Sequence, residues 1–341
     1  MAKFLTGDYS QSWQPCARIA AEVVADEVNV DACIAEHSPD AGLFLARWFS
    51  GKYDVPWLAD FRDPILQPLS PFARKLYAPV AHRLLDTAAC TVNVNYVCAQ
   101  SDQELFKRPS FSIPNGFDPE EFVSPLEEVR QDKLTVVYAG NIISAQRLEI
   151  FLEGLALLRQ AGDTELFKNI HFVYRGGASQ RVTRLALEAG VAEMLDARAP
   201  IERSEALALL RRADVLLLLS IANPEREDPF LAKGLYPAKT FEYFGARRPI
   251  LCVPGDRGLL DELIQETSTG VILRTPREVA DYLAYTIREW RAGRPVPYQP
   301  NDRAVAQYTR HNLTGHLANV LDNLAAPVPD SKEFILTKRI A

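Results

Sequence analysis

From Asp31 onward, short apolar runs rich in β-branched residues alternate with longer stretches of helical periodicity, and this alternation leaves few folds open. It is the pattern of βαβ units, in which parallel strands are joined by helices that cover the sheet. The first series places strands at 31–36 (DACIAE), 56–61 (PWLADF), 90–95 (CTVNVN) and 110–114 (SFSIP), with helices between most of them. The turn and acidic residues of PNGFDPEEF, starting at Pro114, then interrupt the pattern and mark a domain hinge. A second series places strands near 134–140, 170–175, 214–220, 248–253 and 270–273. The run DVLLLLS at 214–220 is apolar on both faces, as an interior parallel strand must be. A last helical stretch, 302–325, carries Val305, Tyr308, Leu313, Leu317, Val320 and Leu324 at helical spacing. The reading is an α/β chain with domains at 1–117 and 118–300, a helix at 301–326 that packs back across the hinge, and a loosely ordered tail at 327–341.

Within the second series, GLYPAKTFEYFGARRPILCVPG (Gly234 to Gly255) places a lysine and a glutamate early in a proline-started helix. Pro237 suits the first helical position, where its missing amide hydrogen is no loss and its φ is already helical. Lys239 and Glu242 are three residues apart and share one face. The free amides and positive dipole end of such a helix attract a diphosphate. Lys239 adds a point charge, and Glu242 can accept hydrogen bonds from vicinal hydroxyls. The same residues also describe an amphipathic helix that buries Phe241, Phe244 and Tyr243 and leaves its polar side to solvent.

Composition removes several classes of function. At 341 residues, with 48% hydrophobic and 24% charged content, the chain is globular material for two cores. Its formal net charge of −6 argues against a nucleic-acid partner, which would call for clustered Lys and Arg. The five cysteines are scattered, odd in number and never in a C-x-x-C pair, which disfavours a disulfide framework and a zinc site and fits a reducing cytoplasm. No apolar core of signal-peptide length opens the chain, and no window approaches about 18 uninterrupted apolar residues.

Four segments carry a resemblance: DFRDP (Asp60 to Pro64), SIPNGFD (Ser112 to Asp118), YAGNIISAQR (Tyr138 to Arg147) and YPAKTFEYFGARRPI (Tyr236 to Ile250). In this order and spacing they resemble family 4 glycosyltransferases of the GT-B fold, over most of the chain. The resemblance implies two Rossmann-like domains facing a cleft, with the nucleotide of the donor on the second domain and the acceptor approaching from the first. It also implies an incomplete N-terminal domain, because the first series lacks an opening strand with a glycine-rich loop.

On this resemblance Glu242 matches the family's ribose-binding glutamate, and Lys239 sits where the helix meets the diphosphate, flanked by Tyr236, Pro237 and Thr240. Gly140 ends a strand where the family brings backbone close to the donor, a role that a plain turn also explains. Arg147 falls near the family's diphosphate-binding lysine, and Asn141 stands where the commoner pattern has an arginine. Arg175, Gly176 and Gly177 follow another strand, either bordering the nucleotide base or forming a βα turn. The family's histidine and aspartate beside the transferred sugar correspond to Arg62 and Asp63, which read either as catalytic or as a loop network. His37 and Ser38 follow the preceding strand, with His37 either catalytic or structural. The family's first glutamate, eight positions before Glu242, is replaced by Gly234; Glu225, Glu227 and Asp228 are nearby acids.

The implied activity is retaining transfer of a sugar from a nucleotide diphosphate sugar to a glycan or lipid-linked acceptor. No cofactor and no metal are expected, in keeping with the absence of a D-x-D triplet. Two rivals remain: a non-catalytic nucleotide-sugar-binding subunit and a nucleotide-sugar epimerase of the same fold. The stretch Phe72 to Leu85 reads either as a core-packing helix or as one resting on the inner face of a membrane.

Overall fold

The computed structural model describes residues 12–66, 69–123, 132–161, 164–221 and 234–326. The acids Glu225, Glu227 and Asp228, and the tail at 327–341, lie outside the described residues. Two compact units divide the chain: residues 1–114 with 311–341, and residues 115–310.

In the first unit α1 (Gln14–Glu27), β1 (Cys33–His37), α2 (Ala41–Tyr53), β2 (Trp57–Phe61), α3 (Pro71–Leu85), β3 (Cys90–Asn93), α4 (Tyr96–Phe106) and β4 (Ser110–Ser112) follow one another. The four strands are parallel and lie in the order β1-β2-β3-β4. Right-handed crossovers in one direction place successive helices on the same side of such a sheet. Alternating side chains show the result. Trp57, Ala59 and Phe61 pack with residues of α2, α3 and α4, whereas Leu58 faces the other way with Cys90 and Val92.

The second unit runs β5 (Leu134–Ala139), α5 (Leu148–Gln160), α6 (Thr164–Lys168), β6 (Ile170–Arg175), α7 (Ser179–Glu188), β7 (Leu195–Arg198), α8 (Arg203–Arg212) and β8 (Val215–Leu219). It continues through α9 (Lys239–Ala246), β9 (Ile250–Val253), α10 (Leu259–Thr267), β10 (Gly270–Ile272), α11 (Pro276–Arg291) and α12 (Asp302–Ala306). A 3-10 turn, Pro119–Phe122, precedes them. The six parallel strands have the order β10-β9-β8-β5-β6-β7, a doubly wound sheet whose winding reverses between β5 and β8. β8 is buried at all five positions, the expected outcome for a run of leucines. Leu134, Val136 and Tyr138 face α5 and α11, while Val137, Leu216 and Leu218 face α8, α9 and α10.

Three differences from the sequence reading have plain causes. β7 went unread because LDAR is short, charged and only half-buried at the sheet edge. The stretch read as one helix over 302–325 is two, α12 and α13 (Arg310–Ala325), separated at 307–309. Its apolar residues serve two cores: Val305 and Tyr308 pack with Phe241 and Phe244, whereas Leu313, Leu317, Val320 and Leu324 pack on Leu58, Cys90 and Val92, covering the second face of the first sheet. The break is pinned by a bridge in which Phe117 N–H donates to Tyr308 C=O (3.1 Å) and Arg310 N–H donates to Phe117 C=O (2.8 Å). Finally, Pro237 lies two residues ahead of α9 rather than at its first position. The helix is entered through i→i+3 turns, Thr240 N–H to Pro237 C=O and Phe241 N–H to Ala238 C=O.

Candidate functional site

Open α/β sheets bind ligands beyond the carboxyl ends of their strands where the winding reverses, which in the second unit is the crevice between β5 and β8. Gly140 ends β5, and α9 is the first described helix after β8. The topology therefore brings Gly140, Asn141, Lys239 and Glu242 to the one edge where a ligand is expected. Gln146 spans the crevice, donating to the Leu219 carbonyl (2.9 Å) and accepting from Ile143 N–H (3.1 Å).

Lys239 is held at this edge by Tyr138. Its ammonium nitrogen lies 3.7 Å from the centroid of the Tyr138 ring and donates to the phenol oxygen. The Asn141 carbonyl stands 3.5 Å away. No carboxylate pairs with Lys239 among the described residues, and burial lowers its pKa to about 7. Burial also raises the Tyr138 phenol well above its usual range, so the partner of Lys239 stays neutral.

Glycines bring the backbone together beside it. Gly140 has φ +120° and is exposed; a Cβ there would sit 3.1 Å from the Lys239 ammonium. A Cβ on Gly176 would overlap the Gly140 carbonyl and the Tyr174 hydroxyl. The Asn141 amide oxygen accepts from Gly177 N–H (2.9 Å), so the residue standing in the arginine position ties the ends of β5 and β6 together.

Glu242 lies on the next exposed step of the α9 face, one-third exposed, and its Oε1 accepts from Arg203 (2.8 Å). The same guanidinium donates twice to Glu121, at 2.8 Å and 2.7 Å. These hydrogen bonds raise the pKa of Arg203 and lower that of Glu121. Neither Arg203 nor Glu121 was singled out in the sequence. Arg203 opens α8 and Glu121 lies in the 3-10 turn, and nothing local marks their meeting.

The other candidates are distributed unevenly. Tyr236 is half-buried, edge-on to Phe241 with ring centroids 6.0 Å apart, and Pro237 is buried. Thr240 is fully buried with its hydroxyl unpartnered among the described residues. Arg147 is the exposed residue before α5, without an ion pair among the described residues. Arg175 is turned to β7, where it donates to the Asp196 carbonyl (2.8 Å) and carboxylate (2.7 Å). Gly234, with φ +85°, is packed so tightly on Asp256 that any Cβ would overlap that carboxylate. A glutamate eight residues before Glu242 has no room there. Asp256 itself accepts from Gly258, Leu260 and Asp261 N–H and is committed to starting α10.

The first unit gathers its candidates at the carboxyl edge of β1 and β2. Asp40, buried before α2, does not cap that helix. Its Oδ1 lies 2.6 Å from His37 Nδ1 and its Oδ2 accepts from the Tyr77 hydroxyl. His37 is edge-on to Phe61 at 5.8 Å, and its carbonyl accepts from Arg62 N–H (3.2 Å). Arg62 forks onto the buried Asp60, at 3.0 Å through Nε and 2.7 Å through Nη2, and donates to the Ile113 carbonyl. Desolvation raises the Asp60 pKa and Arg62 opposes that shift. Asp63 is exposed. Arg62 and Asp63 thus do not form the loop pair that the sequence allowed; Arg62 is paired with Asp60.

The chain matches no protein-family model and no curated protein sequence. It is similar in structure to a glycosyltransferase from Rickettsia africae at 15% identity and TM-score 0.59, covering 92% of this chain and 81% of that one. Anabaena HepE, solved in complex with UDP, is similar at 13% identity and TM-score 0.63, covering 91% and 82%. Sucrose-phosphate synthase from Thermosynechococcus elongatus is similar at 14% identity and TM-score 0.60, covering 93% and 79%. At these identities the likeness is one of fold, and the fold is that of the GT-B glycosyltransferases.

Proposed function

We propose that this chain is a glycosyltransferase that moves a sugar from a nucleotide diphosphate sugar to a glycan or lipid-linked acceptor, with retention and without a metal ion. The observation that carries the proposal is the placing of Lys239 and Glu242 on one face of the opening turns of α9, at the crevice where the sheet reverses. A diphosphate there meets the Lys239 ammonium and the positive end of the α9 dipole. The vicinal hydroxyls of a ribose meet a carboxylate. The UDP carried by HepE supports the same class of donor.

As the bond between the anomeric carbon and the diphosphate oxygen breaks, charge grows on the leaving group. Lys239, Arg147 and the α9 dipole would meet it in place of water. Gly140, Asn141 and Gly176 border this nucleotide site in the proposal, whereas Arg175 is committed to Asp196. On the acceptor side the proposal uses His37, whose Nδ1 lies 2.6 Å from Oδ1 of Asp40 while Oδ2 of Asp40 accepts from Tyr77, with Nε2 offered to a hydroxyl. Arg62 and Asp63 complete that side. Contact with the inner face of a membrane belongs to the same reading: α3 buries Ala73, Tyr77, Ala81 and Leu84 yet exposes Phe72, Leu76 and Val80.

Turnover of a panel of nucleotide sugars, with and without glycan and lipid acceptors, tests the proposal. A glycosylated product that forms only with acceptor is the expected result. Epimerised donor formed without acceptor, or donor binding with no turnover, would contradict it.

A further inference from the structure

Taken as a single contact, the ion pair between Arg203 and Glu242 is a weak source of stability. Exposed pairs of this kind contribute little, and Arg203 is half exposed. A cation on the first residue of a helix also opposes the macrodipole. Yet one guanidinium directs two N–H groups onto Glu121 and a third onto Glu242, joining the 3-10 turn, α8 and α9. A planar fork on two carboxylates fixes direction as well as charge. One Glu242 oxygen is occupied by it, and Oε2 has no partner among the described residues.

We propose that Arg203, anchored by Glu121, is a positioning residue for ribose recognition: it clamps Oε1 of Glu242 so that Oε2 is presented to the vicinal hydroxyls of a ribonucleotide. This rests on the reading of Glu242 as the ribose acceptor. The role is one of specificity. It favours a ribonucleotide over its 2′,3′-dideoxy counterpart and leaves recognition of base and diphosphate to other groups.

The test is the ratio of dissociation constants for a nucleoside diphosphate and its 2′,3′-dideoxy form, taken with whichever of UDP, GDP and ADP binds the full chain. Wild type should prefer the ribonucleotide by about tenfold or more, the scale of hydrogen bonds to a charged acceptor. Arg203→Lys, which keeps the charge without the fork, and Arg203→Gln should each bring the ratio to within about twofold of unity. Glu121→Gln should lower it several-fold, and melting curves would establish that all three variants fold. Because the readout is a ratio, a general loss of affinity does not mimic it. A wild-type preference that survives in both Arg203 variants overturns the clamp and leaves Glu242 as the ribose acceptor. A wild type with no preference removes that reading and the clamp with it. Variants that bind ribonucleotides more tightly also overturn the clamp, since Arg203 would then compete with the ribose.

Discussion

Tyr138 seats Lys239: the ammonium lies 3.7 Å from the centre of the phenol ring and donates to its oxygen, across the crevice between β5 and α9. The ring offers an attractive face but no counter-charge. Desolvation therefore dominates, and the lysine pKa is lowered to about 7 from its ordinary value of 10.5.

That shift makes nucleotide binding depend on pH. Below about pH 7 Lys239 is protonated in the free protein; above it, a bound diphosphate must draw a proton onto the lysine. Affinity for nucleoside diphosphates should fall as pH rises from 7 to 9. Calorimetry in buffers of different ionisation enthalpy should show proton uptake, absent in Lys239→Met. The same shift acts on stability. Between about 7 and 10.5 the unfolded state binds more protons, so the Lys239 penalty, complete below 7, is relieved as pH rises.

Gly176 and Gly177 should respond differently to alanine. A Cβ on Gly176 meets rigid backbone at Gly140, whereas one on Gly177 lies 2.8 Å from the end of the Asn141 side chain, which can move. Gly176→Ala should cost about 2 kcal/mol or more and disrupt nucleotide binding, with Gly177→Ala costing under about 1 kcal/mol. Denaturant melts compare the two.

Asp40→Ala removes the buried carboxylate that accepts from the Tyr77 hydroxyl and lies against His37, at a cost of about 1–3 kcal/mol. The milder Asp40→Asn should lower transfer without altering the nucleotide dissociation constant. Unchanged turnover in a folded Asp40→Asn protein would remove His37 from the acceptor side.

Replacing Phe72, Leu76 and Val80 together by serine removes the apolar face of α3 while leaving Ala73, Tyr77 and Leu84 in the core. Sedimentation with anionic vesicles should decrease, and the melting temperature should change little.

Strands were legible wherever parallel pairing buries both faces, as in the leucine run of β8, because burial of that kind leaves its mark in composition. The edge strand β7 leaves no such mark. The helical spacing of Val305 through Leu324 was real, but a single period could not reveal that its two halves serve different cores. In the candidate site, Lys239 and Glu242 were legible because three-residue spacing on a helix is a local fact. The guanidinium that joins Glu121 to Glu242, the aspartate that turns from its helix to His37, and the salt bridge that draws Arg175 to β7 are long-range contacts made by residues with ordinary surroundings in sequence.

Calorimetric titration of the wild type and Glu242→Ala with UDP, GDP and ADP tests the nucleotide site most directly. One of these should bind wild type selectively and lose tenfold or more of its affinity, about 1.4 kcal/mol, in the variant. Equal affinity in the two proteins, or no binding by a folded wild type, would contradict the site.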